Sequence, residues 1–192
     1  IYAAETAGAD YAVVDSNVYW PSPDGDGLYS VNLNGSGFTE ISAAGLTGLA
    51  GNDAAGRLYG VGQVDGLGRI TILDVRSGSQ MTLVGADPDT NNAWSAERIA
   101  VDSGGRQFFL AGECGDPAGG PAGSTRDRIY GIHRLAIPAF QEGVVNGVTG
   151  CMPVVRIGDT YDLMDLAVDD RSGKLYYLLR EKATGWSSLW RA

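Results

Sequence analysis

What this sequence has least of is lysine, histidine and cysteine. Only Lys174 and Lys182 are lysine, only His133 is histidine, and only Cys114 and Cys151 are cysteine among its 192 residues. Arginine thus carries nearly all the positive charge, and acids exceed it: Lys plus Arg total 14 against 23 Asp plus Glu, a net charge of -9. No basic cluster exists that could displace counterions from phosphates, which argues against nucleic acid or an anionic membrane as partner. No uninterrupted apolar stretch approaches the length of a membrane-spanning helix.

The shortage of histidine also thins the catalytic options. A Ser-His-Asp set would have to use His133, and no Gly-x-Ser-x-Gly elbow occurs. One histidine with two distant cysteines is too few ligands for zinc. His133 has Ile129, Gly131 and Leu135 at alternate positions, the pattern of a packed core residue. Paired carboxylates could do acid/base work, but a chain this acidic offers many chance pairs, and the sequence does not rank them. Helical periodicity is missing too: the best stretch, "LAIPAFQEGVV", carries Pro138 and Gly143 inside it.

What is present is ordinary globular material, 44% hydrophobic with 29 glycines, enough for one domain over residues 1–192 with its own core. It starts at Ile1 rather than Met, which suits a processed mature form or a piece of something longer. Four segments line up: "YAVVDSNVYW" at 11, "LAGNDAAGRLYGVG" at 49, "IAVDSGGRQFFLAG" at 99 and "LAVDDRSGKLYYLL" at 166. Each reads as strand, tight turn, strand. Tyr19, Tyr59, Phe108 and Tyr176 mark the register.

A third apolar run follows each copy, and a fourth follows the first three, namely "GFTEIS", "SQMTLVG" and "MPVVRIG". Residues 112–127 and 137–150 read as Gly- and Pro-bearing loop insertions in the third copy. Four antiparallel strands repeated in this way predict an all-β fold, a β-propeller of four blades. The last copy has only three runs, so "IYAAETAG" at the N-terminus is expected to close it as the outer strand; the alternative is a fragment of a larger propeller.

The first copy carries a resemblance. "NVYWPSPDGDGLYSVNLNGSGFTEIS" resembles a blade of the YWTD propellers of lipoprotein-receptor type. Tyr19 and Trp20 match the aromatic pair, and Asn32, Leu33, Gly35 and Ser36 match the turn, while Pro21 and Ser22 replace the Thr-Asp half. The second copy, with its "GRLYG", is similar to secreted bacterial propellers of unknown function. The resemblance implies binding rather than catalysis.

Propeller topology sends the blade-to-blade loops and the loops between second and third strands to one face. That face gathers acids and aromatics: Asp24, Asp26, Trp94, Glu97, Arg98, Tyr161, Asp162, Asp165 and Trp186. Asp10, Thr47, Glu97, Arg98 and Asp165 should stand just ahead of the inner strands, at the mouth of the central channel. Carboxylates mixed with Trp and Tyr suit a protein, a glycan or a cation. Calcium is the cofactor the residues permit: Asp87, Asp89 and Asn91 alternate as oxygen ligands do, although Asn92 takes the place of the usual Gly.

Two readings of the cysteines stand, a Cys114–Cys151 disulfide or two unpaired thiols. The disulfide needs one of the third-copy insertions to cross the blade, since the two residues belong to opposite ends of its strands. Together these features predict a non-catalytic extracellular, cell-surface or periplasmic module that binds protein or glycan. The rivals are a calcium-dependent hydrolase or lyase of gluconolactonase-like type, and a self-assembling subunit of a fibre or surface layer.

Overall fold

In the computed structural model the described residues are 10–22, 27–41, 46–64, 67–85, 94, 96–115, 128–143, 145–148, 152–169 and 171–192. They form sixteen strands in four sheets, a four-blade β-propeller. Blade one holds β1 (Ala12–Val14), β2 (Asn17–Pro21), β3 (Leu28–Asn32) and β4 (Thr39–Ile41). Blade two holds β5 (Leu46–Asn52), β6 (Arg57–Val64), β7 (Leu67–Asp74) and β8 (Gln80–Gly85). Blade three holds β9 (Arg98–Val101), β10 (Gln107–Gly115) and β11 (Arg128–Ala136). β12 (Val145–Val148) then leaves the blade, and β13 (Met152–Arg156) completes it. Blade four holds β14 (Tyr161–Asp169), β15 (Lys174–Glu181) and β16 (Ser187–Arg191). No helix of the described residues is long and apolar enough to cross a membrane.

The repeat has a physical signature at its inner hairpin. A small residue on the first strand faces an aromatic on the second: Ala12 opposite Tyr19, Ala50 opposite Tyr59, Ala100 opposite Phe109 and Ala167 opposite Tyr176. The third copy therefore takes Phe109 rather than Phe108 as its register residue. Phe108 points the other way, into the ring edge of Tyr59, with centroids 5.4 Å apart.

Side-chain alternation then gives each inner blade two buried faces. Leu46, Leu49, Leu58 and Leu73 of blade two pack against Ala12, Val14, Tyr19 and Leu28 of blade one. Tyr59, Val61, Ile70, Ile72 and Leu83 on its opposite face meet Ile99, Phe108 and Leu110 of blade three. The other face of blade three, with Ala111 and Ile132, meets Leu163, Leu166, Tyr177 and Leu179 of blade four.

Residues 137–150 are not simply a loop. β12 runs parallel to β8, Val145 opposite Thr82 through Val148 opposite Gly85, so a connection of blade three supplies a fifth strand to blade two. Its approach is anchored by Gly143 N–H on the Gln80 carbonyl at 2.8 Å and by Phe140, over whose ring Arg57 stands at 4.8 Å. The pairing covers an edge that would otherwise present free backbone donors and acceptors. Residues 1–8, expected as the closing strand, lie outside the described residues.

Candidate functional site

Strand starts set the geometry of the channel mouth. β1 and β9 begin close to Asp10 and Glu97, as the repeat predicts. β5 and β14 begin earlier and carry bulges, between Leu46 and Gly48 and between Leu163 and Asp165. Thr47 and Asp165 thus lie within strands rather than ahead of them, and Arg98 is itself the first residue of β9; a bulge re-aims the side chains around it.

Arg98 is the cation of this mouth. Its Nε lies 3.6 Å from Asp10 Oδ1 and donates to the Met164 carbonyl at 3.3 Å, while Nη1 donates to the Glu97 carbonyl at 3.0 Å. Blades one, three and four therefore converge on one guanidinium. Burial lifts the Asp10 carboxyl above its ordinary value; Arg98 draws it partly back, and the charge of Asp165 adds to the rise. Asp165 accepts the Leu166 backbone N–H at 2.8 Å. Behind these groups lies a cavity of about 410 Å³, walled by Leu49, Ala50, Ile99, Ala100, Leu166 and Ala167 of the inner strands.

Asp162 and Trp186 both belong to blade four. Asp162 accepts from Arg180 at 3.1 Å and lies 3.5 Å from Lys182 Nζ. The Arg180 hydrogen bond, more than the other contacts, holds its carboxyl below the ordinary value. Trp186 stands 78% exposed at the end of a turn closed by Gly185 N–H on the Glu181 carbonyl and Glu181 N–H on the Trp186 carbonyl, at 2.8 and 2.9 Å. The Trp186 N–H also donates to Thr184 Oγ1 at 3.3 Å.

Tyr161 opens a different recess, of about 210 Å³, between blades three and four with Arg156, Ile157, Tyr177 and Trp190. That recess is not apparent from the sequence, because its walls come from β13, β14, β15 and β16. Tyr130 is also missed: burial, then the charge of Glu97, pushes its phenol up. Only its place in the alternating "RIYGIH" could have drawn attention to it.

Trp94, expected on the binding face, is a buried wedge, 3% exposed. Its carbonyl accepts the Gly68 N–H at 2.8 Å, and it forms an isolated bridge with Cys114. It seals blades two and three and is not offered to a ligand. His133 is buried as expected, with Nε2 3.1 Å from the Gly112 carbonyl. Asp24, Asp26, Asp87, Asp89, Asn91 and Cys151 lie outside the described residues. Among the described residues no group of three potential metal ligands occurs, and no cysteine is free.

No family model matches the sequence, and no curated protein matches it. Similarity appears with solved structures and shows the fold. Hydrazine synthase of Kuenenia stuttgartiensis is 10% identical with a TM-score of 0.57, over 91% of this chain and 44% of that one. A nidogen/laminin complex is 12% identical, TM-score 0.51, over 94% and 62%. A streptogramin B lyase is 11% identical, TM-score 0.53, over 95% and 54%. The chain thus spans about half the length of the structures it matches.

Proposed function

We propose that this chain is a non-catalytic β-propeller module of the extracellular space or cell surface that binds a protein or glycan through its loop-bearing face. The observation that carries the reading is Trp186, an indole held almost fully in solvent by a hydrogen-bonded turn. It lies in the same hairpin as Arg180 and Lys182, which pair with Asp162. A rigid exposed Trp near an Arg is the composition of a binding hot spot, and an indole face also stacks on sugar rings. The matched nidogen/laminin complex is a precedent for protein binding on this fold. A Cys114–Cys151 disulfide belongs to the same reading, supported by the lack of a free cysteine among the described residues. Proteolysis and mass spectrometry without reductant test it, two separate thiol peptides being the contrary result.

The binding test is an oligosaccharide array together with laminin-type matrix proteins, probed with the wild-type chain and Trp186→Ala. Binding that the variant loses while keeping its thermal midpoint supports the module. Binding indifferent to Trp186 and Arg180 overturns it.

A second reading, a calcium-dependent hydrolase or lyase, is favoured by one observation: Asp10 and Asp165 face the channel cavity closely enough for their charges to interact. One matched structure is a lyase. Calorimetric titration with calcium separates the two readings. The enzyme requires tight binding that Asp165→Asn and Glu97→Gln abolish, together with turnover of lactones or esters.

A further inference from the structure

We propose that the recess between blades three and four is a binding subsite for one neutral hexopyranose ring of a glycan. The inference deepens the binding reading given above and rests on its glycan arm, but it assigns a different set of residues.

Rows of the blade-four sheet build one wall. Leu166, Tyr177 and Trp190 stand side by side across β14, β15 and β16, and Leu163, Leu179 and Ser188 form the next row. Tyr161 lies on the same face one row further on, opposite Glu181. Leu163, Leu166, Tyr177 and Leu179 pack toward blade three, so the face they share is turned to that seam. Val155 and Ile157 supply the opposing wall from blade three.

Trp190 leaves this seam open. It is 49% exposed, whereas Trp94 fills the seam between blades two and three at 3%. The Trp190 Nε1–H donates to Ser188 Oγ at 2.8 Å, so the indole donor is spent within β16 and the ring is tied to its own strand. What Trp190 has left to offer a ligand is its ring face.

The polar groups decide the occupant. Tyr177 is 8% exposed and lines the recess, and neither its hydroxyl nor that of Tyr161 has a hydrogen-bond partner among the described residues. An apolar side chain filling the space would bury those hydroxyls unpaired, which is unfavourable. A sugar ring meets both demands: its C–H face stacks on an aromatic ring, and its hydroxyls exchange hydrogen bonds with the phenols. The volume, about 210 Å³, is below the roughly 300 Å³ at which pockets for drug-sized ligands begin, and suits one ring.

Charge selects a neutral sugar. Among the described residues that line the recess only Arg156 is charged, and its side chain points the other way. Val155 and Ile157 on either side of it pack toward blade four, and it pairs with Gly131 while Val155 pairs with the buried Ile132. Glu181, the acid of the blade-four face, accepts the Thr184 hydroxyl. A carboxylate or ammonium drawn into the recess would lose its water and meet no counter-ion.

Saturation-transfer NMR and calorimetry on the whole chain, with neutral methyl hexopyranosides and their short oligosaccharides as probes, should find a ligand. The matching uronic acid and amino sugar should bind more weakly. Trp190→Ala should weaken binding of that sugar at least about tenfold, and Tyr177→Phe, which keeps the ring, about two- to tenfold. Tyr177→Phe carries the test if Trp190→Ala lowers the thermal midpoint. para-Cresol, an uncharged ring of the kind a protein side chain offers, should not displace the sugar. No binding by any neutral sugar overturns the subsite and leaves the protein arm of the binding reading standing. Sugar binding lost in Trp186→Ala but indifferent to Trp190→Ala and Tyr177→Phe overturns the subsite while supporting the module. Tighter binding of the charged sugars, or displacement by para-cresol, overturns it as well.

Discussion

Arg76 grips Asp15 across the seam between blades one and two, Nε donating to Oδ2 at 2.6 Å and Nη2 to Oδ1 at 2.9 Å. The Asp15 backbone N–H donates in turn to Asp53 Oδ1 at 2.8 Å, so two turns on the face opposite the channel mouth are stitched together. The Arg76 hydrogen bond holds the Asp15 carboxyl below its ordinary value. A depressed folded-state pKa contributes stability that is present above the unfolded value, about 3.9, and lost as pH falls through the folded one. Asp15→Asn should therefore lower the urea midpoint at pH 7, and the difference from wild type should close below pH 3. An equal deficit at both pH values would show that the ion pair is not its source.

The same turn stores backbone strain. Asp15 and Ser16 have φ of 48° and 63°, the left-handed conformation a two-residue hairpin loop requires. An L-residue there costs roughly 1 to 2 kcal/mol, part of which glycine gives back in unfolded-state entropy. Ser16→Gly should raise stability by about 0.5 to 1 kcal/mol in equilibrium denaturation, with an unchanged m value.

How much of this was legible in the sequence depends on how local each feature is. The strands were legible because alternation and turn residues act within a hairpin. The third-copy aromatic was placed one residue early: its longer turn, residues 102–106, hides that Val101 pairs with Phe108 and Ala100 with Phe109. β12 was read as loop because "VNGV" has no alternating pattern of its own and gains strand geometry only from β8. Topology placed Asp10 and Glu97 just ahead of inner strands, since repeat position fixes which strand is innermost and which of its ends opens on the loop-bearing face; Thr47 and Asp165 fall inside β5 and β14 because the bulges there leave no mark in the repeat. Trp94 was misplaced because its burial depends on Gly68, far away in sequence.

That dependence is testable. A Cβ at Gly68 would run into the Trp94 ring, closer than atoms can approach. Gly68→Ala should cost roughly 1 to 3 kcal/mol by overpacking. Trp94→Ala should cost about 3 to 5 kcal/mol by leaving a cavity. Trp94→Phe should be milder than Trp94→Ala, because the indole Nε1 is buried without a hydrogen-bond partner and its loss strands nothing. Thermal unfolding of the three variants checks the order. If Trp94→Ala unfolds at the wild-type midpoint, the side chain is not the seal between blades two and three.

The channel mouth gives the opposite pH sign from Asp15. Asp10 is raised, chiefly by burial and secondarily by Asp165, with Arg98 opposing. A carboxyl whose folded pKa exceeds its unfolded one holds its proton longer in the folded state, so stability falls as pH climbs between the two values. Asp10→Asn removes that penalty while keeping the shape and leaving Arg98 its Met164 and Glu97 carbonyls. The variant should be more stable than wild type at pH 7, and the gain should shrink toward pH 4 as the native carboxyl protonates. Urea titrations at the two pH values decide it. A loss at pH 7 would mean that the Asp10–Arg98 ion pair outweighs the burial of the carboxylate, and that the mouth is held together by the charge it encloses.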